Sequence, residues 1–260
     1  MKYFEVWKKL AFNALQISFV NRYTNVLFII GKAIRLAMTF VFLFLIKSQV
    51  KEFAHYTTDQ MLVFFITYQL VDQLAQIFYR SVYGFGHKIR NGEFDFYLLR
   101  PIKPLFATLL GQPDINDVVF FFPTLAIMMY ILAGLDLAMT PLSIAWYFIL
   151  LINALLIATA FHILVAATAI FTTEVDGIIW LYRDISGLAR FPVSMYLEPL
   201  KLALFFLVPV GMMVTIPAEV LINVPPTYSI AVAVTVGLGF FAFSLYVWKF
   251  ALKHYSSASS

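Results

Sequence analysis

The chain of 260 residues is 62% hydrophobic, 18% aromatic and only 12% charged, with 18 Lys and Arg against 14 Asp and Glu, and its mean hydropathy is +0.86. Soluble domains run about 45–50% apolar and about 25% charged, so a water-facing globule is excluded and an integral membrane protein is expected. A helical span takes about 20 apolar residues, so six spans use roughly half the chain and leave no room for a sizeable soluble domain.

In chain order, Phe4, Trp7, Leu10, Ala11, Ala14, Leu15 and Ile17 come first, recurring at three- and four-residue steps with Lys2, Glu5, Lys8, Lys9, Asn13 and Gln16 between them. That pattern predicts an amphipathic helix over about residues 1–22, lying in the inner membrane interface with its lysines towards anionic headgroups. The competing reading is the start of an ordinary helix; the number of polar residues speaks against a spanning one. Lys8-Lys9 is followed by an apolar run and then Asn21-Arg22-Tyr23, with no small-residue cleavage site, so a retained N-terminus is expected.

Charge-free runs place the spans, because a charge at mid-bilayer costs about 2.5–3.5 kcal/mol. Residues 118–135, 137–173, 202–218 and 220–248 contain no Asp, Glu, Lys or Arg. The predicted spans are 24–46, which carries Lys32 and Arg35; 60–80, which carries Asp72; and 115–134, 142–172, 200–222 and 228–249. Six spans put both termini on one side. With the termini inside, 14 of the 18 cations fall in cytoplasmic segments: Lys2, Lys8, Lys9 and Arg22; Arg80, Lys88, Arg90, Arg100 and Lys103; Arg183, Arg190 and Lys201; Lys249 and Lys253. Only Lys47 and Lys51 lie outside, so the positive-inside rule favours cytoplasmic termini. Two stretches depart from plain spans. Gln112-Pro113-Asp114-Ile115-Asn116-Asp117 interrupts an apolar region at the start of span three, where backbone must be wet or packed on protein. Pro209, Pro217, Pro225 and Pro226 crowd the end of span five and the turn into span six, which predicts broken or re-entrant helix in the outer leaflet.

Catalytic chemistry is not visible. With no cysteine there is no thiolate nucleophile or thiolate metal site. Gly84-Phe85-Gly86-His87-Lys88 lacks the spacing and hydroxyl of a phosphate-binding loop. His55, His87, His162 and His254 are scattered, and Glu174 and Asp176 read as a solvated helix end. The expectation is a non-catalytic chain with no catalytic, cofactor-binding or metal-binding residues. The positive balance belongs to cytoplasmic loops, so no nucleic-acid partner is expected. Intramembrane charge is the stronger signal. Gln69, Asp72, Gln73, Gln76 and Arg80 form one polar stripe along span two. Asp72 lies about 12 Å above the cytoplasmic end of its span, and Lys32 and Arg35 about 12–17 Å into theirs, so Asp72 is predicted to pair with Lys32 or Arg35. Two readings stand for the stripe: it glues helices together, or it lines a substrate path.

The loop between spans two and three sets Phe94, Phe96, Tyr97, Leu98 and Leu99 among Glu93, Asp95 and Arg100. Exposed apolar groups rimmed by charge mark a docking surface. Glu93 and Asp95 suit the first turn of a short helix after Gly92, and Pro101 stops it. The competing reading is a loop packed on its own span ends. The run Asn91-Gly92-Glu93-Phe94-Asp95-Phe96-Tyr97-Leu98-Leu99-Arg100-Pro101, followed by Pro104-Leu105-Phe106, resembles the signature of a bacterial subfamily of type-2 ABC exporter permeases. A second block is similar to the same subfamily: Arg190-Phe191-Pro192-Val193-Ser194-Met195-Tyr196, then Pro209 and Ile216-Pro217-Ala218-Glu219-Val220-Leu221. With the hydropathy profile, the likeness covers essentially the whole chain.

The resemblance implies an all-α, polytopic permease subunit of six transmembrane helices in a bacterial cytoplasmic membrane. It implies a second permease subunit, identical or related, and a separate cytoplasmic ABC ATPase that holds ATP and Mg. It further implies that Glu93 to Arg100 form a cytoplasmic coupling helix, that Phe4 to Phe19 form a connector on the membrane surface, and that the segment before span six folds back into the outer leaflet. The polar interruption at Gln112 to Asp117 is not a mark of that subfamily, and its role is open. Two other classes compete. A proton-coupled secondary transporter could use Asp72, His162 or Glu219, against the absence of paired repeats in the two halves. A membrane-embedded lipid-modifying enzyme lacks clustered acids or a nucleophile with its base. The aromatic richness, 28 Phe and 14 Tyr, fits an amphipathic cargo and core packing equally.

Overall fold

The structure is a computed structural model that describes residues 2–20, 22–49, 52–53, 56–134 and 139–256. The side chains of Lys2, Arg22, Lys47, Lys51 and His55, and the end of the Ser-rich tail from residue 257, lie outside what is described. The described residues are helical almost throughout, in agreement with the expected all-α class. They form α1 (Lys2–Val20), α2 (Arg22–Gln49), α3 (Thr58–Tyr79), α4 (Phe85–Arg90), α5 (Glu93–Leu99), α6 (Pro104–Leu110), α7 (Ile115–Gly134), α8 (Pro141–Thr172), α9 (Asp176–Leu188), α10 (Glu198–Leu202), α11 (Val210–Leu221) and α12 (Ile230–Lys253). Two two-residue strands, Glu52–Phe53 and Tyr56–Thr57, pair antiparallel between α2 and α3.

Local chemistry explains the helix starts. Thr57 caps α3 and Thr140 caps α8, each in a reciprocal box with the residue three positions on, Gln60 and Ser143; such a box satisfies two otherwise orphaned backbone N–H groups. Pro141 then occupies the first turn of α8, where its missing N–H costs nothing.

The bundle is organised around α3 and α8. They run parallel, as the bonds Thr67 Oγ1 to Tyr147 Oη (3.1 Å) and Tyr79 Oη to Thr159 Oγ1 (2.5 Å) require. α12 runs parallel to α8 in turn: Asn153 Nδ2 donates to the Ala233 carbonyl at 3.0 Å, and the Phe161–Phe240 and Phe171–Phe250 ring pairs follow along the seam. Ala154, Ala158, Ala160, Ala166, Ala167 and Ala169 are fully buried on α8. Small side chains let helices approach closely where lipid supplies no hydrophobic drive between them. Gly237 marks the tightest point, because a Cβ there would run into the amide of Asn153. Antiparallel to this set run α2, through Phe40 on Phe65, and α7, whose Thr124 meets Gln73 while Asp114 reaches Ile77.

Among the described residues, four helical stretches are long and apolar enough to cross a membrane: Thr58–Arg90, Ile115–Gly134, Pro141–Thr172 and Ile230–Lys253. α10 with its π-helical continuation Ala203–Leu207, taken together with α11, makes a fifth only if the pair is one span, and it is bent by 96°. Residues 200–222, expected as a single span, are therefore two helices. Pro209 at the joint has no N–H to continue a ladder, and the Val208 N–H reaches back to the Ala203 carbonyl at 2.9 Å. The pair also begins and ends at the same end of the bundle. Ser194 before it and Thr227 after it both bond into the cluster around Tyr56, which stands at the start of α3. The stretch that does run the length of the bundle is 176–195. It starts beside Thr173, whose carbonyl accepts from Arg90 Nη1 at 2.6 Å, and ends at Ser194.

The α8–α12 seam yields a stability prediction. Gly237→Val should lower the thermal midpoint of the detergent-solubilised chain by the equivalent of about 1–3 kcal/mol of overpacking. Gly239→Val, where a Cβ meets nothing within 4 Å, should leave it unchanged.

Candidate functional site

Three places gather the polar groups of this apolar chain. The first lies between α2, α3, α7 and α9, towards the end of the bundle that carries α5. Asp114 and Asp117 stand one turn apart where α7 begins. Lys32 Nζ sits 2.8 Å from Asp117 Oδ1 and 3.8 Å from Asp114 Oδ2, while Arg80 Nε lies 3.7 Å from the same Asp114 oxygen. Asp114 Oδ1 also accepts from the backbone N–H groups of Asn116 and Asp117, which fixes the turn into α7. Arg183 on α9 reaches Asp72 at 3.8 Å and donates to Tyr83 Oη at 3.1 Å.

Of the two partners expected for Asp72, Lys32 goes instead to Asp117 and Asp114, and Asp72 meets Arg183 on α9. The reason is geometric, since the i, i+3 spacing of Asp114 and Asp117 presents two acids to α2 on one face of α7. Arg35, Lys32, Gln69, Asp72, Gln73 and Asp117 nonetheless line one small void. The stripe on α3 is continuous. Gln73 donates to Thr124 Oγ1 at 2.9 Å, Gln76 to Asp72 Oδ2 at 3.3 Å, and Arg80 to Gln76 Oε1 at 3.5 Å. The interruption at Gln112 to Asp117, whose role the sequence left open, is thus the acidic half of a charge cluster. His162, close by, is fully enclosed by Tyr79, Tyr83 and Tyr182, with Nδ1 2.7 Å from the Ala158 carbonyl. Among the described residues no three His, Asp or Glu come together as a metal site.

The second place is the opposite end. Glu219 on α11 is 0% exposed and accepts from Tyr56 Oη at 2.8 Å, the Thr227 N–H at 2.7 Å and Thr227 Oγ1 at 2.6 Å. A carboxylate without exposure is tolerated only when its lone pairs are met. One side chain therefore ties the start of α3, the bent pair and the turn into α12. Burial raises the phenol of Tyr56 above its ordinary range, and the neighbouring Glu219 carboxylate adds to that. Lys201 belongs here and not with the basic end, contrary to the expected charge distribution, and it pairs with Glu198 at 3.1 Å.

The third place is α5. Gly92 precedes it at φ +71°, a left-handed conformation that glycine adopts without steric cost. The helix is split by face. Phe94 is 0% exposed, packed on Phe85, Trp248 and Tyr255. Phe96 is 64% and Leu99 81% exposed, with Glu93, Leu98 and Arg100 also at the surface. Tyr97 is half-buried and accepts from Lys88 at 3.0 Å. Tyr255 Oη donates to Asp95 Oδ1 at 2.9 Å, and burial together with that bond pushes its phenol up to about 12. The phenol therefore keeps its proton, and its role as donor, at physiological pH.

A family model described as "ABC-2 family transporter protein" matches residues 33–259. The chain belongs to the ABC-2 transporter family. No curated protein and no solved structure matches it. Membership makes this chain the membrane component of an ABC transporter in general terms, and α1, outside the match, remains to be read from its contacts. There the ABC-2 chain turns Trp7, Leu10 and Ala14 inward, with Trp7 on Phe78, while Tyr3 is exposed and meets the edge of Phe106. Phe4 and Leu15, expected on the same face as Trp7 and Leu10, are exposed.

Sequence reasoning passed over Arg183 as the partner of Asp72 and Glu219 as the fastener of the opposite end. Signals for both existed: Arg183 sits mid-way along a strongly amphipathic stretch, and Glu219 is the lone acid between two charge-free runs.

The Lys32–Asp117 pair can be tested by a double-mutant cycle. Lys32→Met should cost about 3–5 kcal/mol by stranding the buried Asp117 carboxylate, and Asp117→Leu less, because Lys32 keeps Asp114. The double variant should regain most of that in thermal midpoint of the solubilised chain.

Proposed function

We propose that this chain is the transmembrane permease subunit of an ATP-driven exporter, coupled through α5 to a separate cytoplasmic ATPase. The observation that carries it is the two-sided construction of α5. Phe94 holds the helix to the bundle from within, while Phe96, Leu98, Leu99 and Arg100 are offered outward. Apolar side chains exposed on a short helix whose inner face is already anchored fit a groove on a soluble partner. The end that carries α5 also carries Lys88, Arg90, Arg100, Lys103, Lys249 and Lys253, an accumulation of cations that supports its being cytoplasmic.

On this reading the membrane is crossed six times, by α2, α3, α7, α8, residues 176–195 and α12. Both termini are then cytoplasmic, and the α10–α11 pair is a re-entrant hairpin in the outer leaflet. α2 is about 42 Å long at 1.5 Å per residue, enough to span with tilt. α1 lies along the inner interface. Two permease subunits, identical or related, together form the path in a bacterial cytoplasmic membrane. Mg-ATP is held and hydrolysed by the partner, so this chain contributes no catalytic residue. ATP binding draws the two ATPase subunits together, and differential contact with α5 in the two states shifts the permease between inward and outward access.

The test is co-purification from the native membrane in a mild detergent. Wild type should bring down a soluble ABC ATPase, and Phe96→Asp with Leu99→Asp should lose it while the permease keeps its elution profile. Phe94→Ala should instead lower the thermal midpoint by about 3–5 kcal/mol of lost packing. Absence of any ATPase with the wild type would remove the exporter reading. A gradient-driven mechanism would then be tested at Asp72 by its response to collapse of the proton gradient.

A further inference from the structure

A cavity of about 710 Å3 opens between α1, α2, the start of α7 and α9, at the α5 end of the bundle. Its size is that of a ligand site rather than of a packing defect. Lys32, Arg35, Arg80 and Arg183 line it, against the single carboxylate of Asp114. The acids behind this wall are Asp117 and Asp72, which hold Lys32 and Arg183 from the far side. Even with both included, four cations and three acids leave one positive charge. Three of the four cations are arginines, whose planar forks suit phosphate oxygens. The rim has the opposite character. Leu27, Phe28, Ile17 and Trp180 border the opening and expose half or more of their surface. On a chain embedded in a bilayer such side chains face acyl tails. Gly31 lines the same space, and a Cβ built there meets nothing within 4 Å.

We infer that this cavity takes an anionic, phosphate-headed amphiphile from the inner leaflet, its headgroup among the four cations and its tail along Leu27 and Phe28. The inference rests on the exporter reading for its meaning as a substrate class, and on the geometry alone for its existence as a site. A free phosphate would use the same cations but gain nothing from the apolar rim.

The experiment is native mass spectrometry of the purified full chain in detergent, titrated with phosphatidylglycerol or phosphatidylcholine of matched tails. Wild type should retain phosphatidylglycerol in preference, on the order of tenfold. Arg80→Gln should abolish most of that preference. Because loss of Arg80 could disturb the fold, Gly31→Trp is the second variant, since it fills the cavity and leaves every charge in place. It should cut retention comparably, while Lys253→Gln on the end of α12 should not. Equal retention of the two lipids, or wild-type retention by Gly31→Trp, overturns the site. Displacement of the lipid by glycerol phosphate at equal concentration overturns the amphiphile in favour of a soluble anion. The same preparations report ATPase recovery, which separates the two ideas. ATPase without lipid preference removes the site and leaves the exporter standing; lipid preference without ATPase keeps the site and removes the exporter.

Discussion

A cation carried into an apolar slab has to find an acid within a few ångströms or leave several kcal/mol uncompensated, and three cations of this chain find theirs on a different segment. Lys32 joins α2 to α7, Arg80 joins α3 to α7, and Arg183 joins α9 to α3. In water, apolar faces would bring such helices together; among lipid tails that drive is missing. The ion pairs therefore specify which helices touch and at what height, and the apolar contacts fill in around them. The α8–α12 seam is the counter-example, held by small residues and one glycine, with the amide of Asn153 as its polar bond.

Much of this was legible in residue order alone. The class followed from composition, α7, α8 and α12 sit close to the charge-free runs that predicted them, and α3 sits close to the expected 60–80 despite Asp72. The split between an inward Phe94 and an outward Phe96 was not legible, because both are large and apolar in a seven-residue helix. Only the ring of Phe85, Trp248 and Tyr255 around Phe94 decides between them. Nor could the partner of Lys32 be named, since depth in the membrane constrains height and not azimuth. Asp72 and Asp117 lie near the same level, and the rotation of α7 selects between them.

The largest departure concerns residues 176–222, and its cause is the reading rule itself. Filtering for charge-free stretches selects 202–218 as a span and discards 176–195, which contains Asp176, Arg183, Asp184 and Arg190. Yet Arg183 is met by Asp72 inside the bundle, Arg190 lies over the ring of Tyr68 at 5.1 Å, and Asp176 and Asp184 are exposed. The apolar stretch, meanwhile, contains Pro209 and a run of π-helical hydrogen bonding, which turn it back on itself. Apolarity measures what a segment can be buried in; it carries no information about the direction the backbone takes.

The bond from Tyr255 to Asp95 has a mechanical side. The helix α5 is fastened, by that bond and by Phe94 on Trp248, to the far end of the chain rather than only to its neighbours in sequence. α12 is in turn locked to α8 along most of its length. A push on α5 is therefore delivered to a stiff pair of parallel rods, with Gly237 as the point where they are pressed closest. The helices bearing the charge cluster, α2 and α7, stand outside that pair.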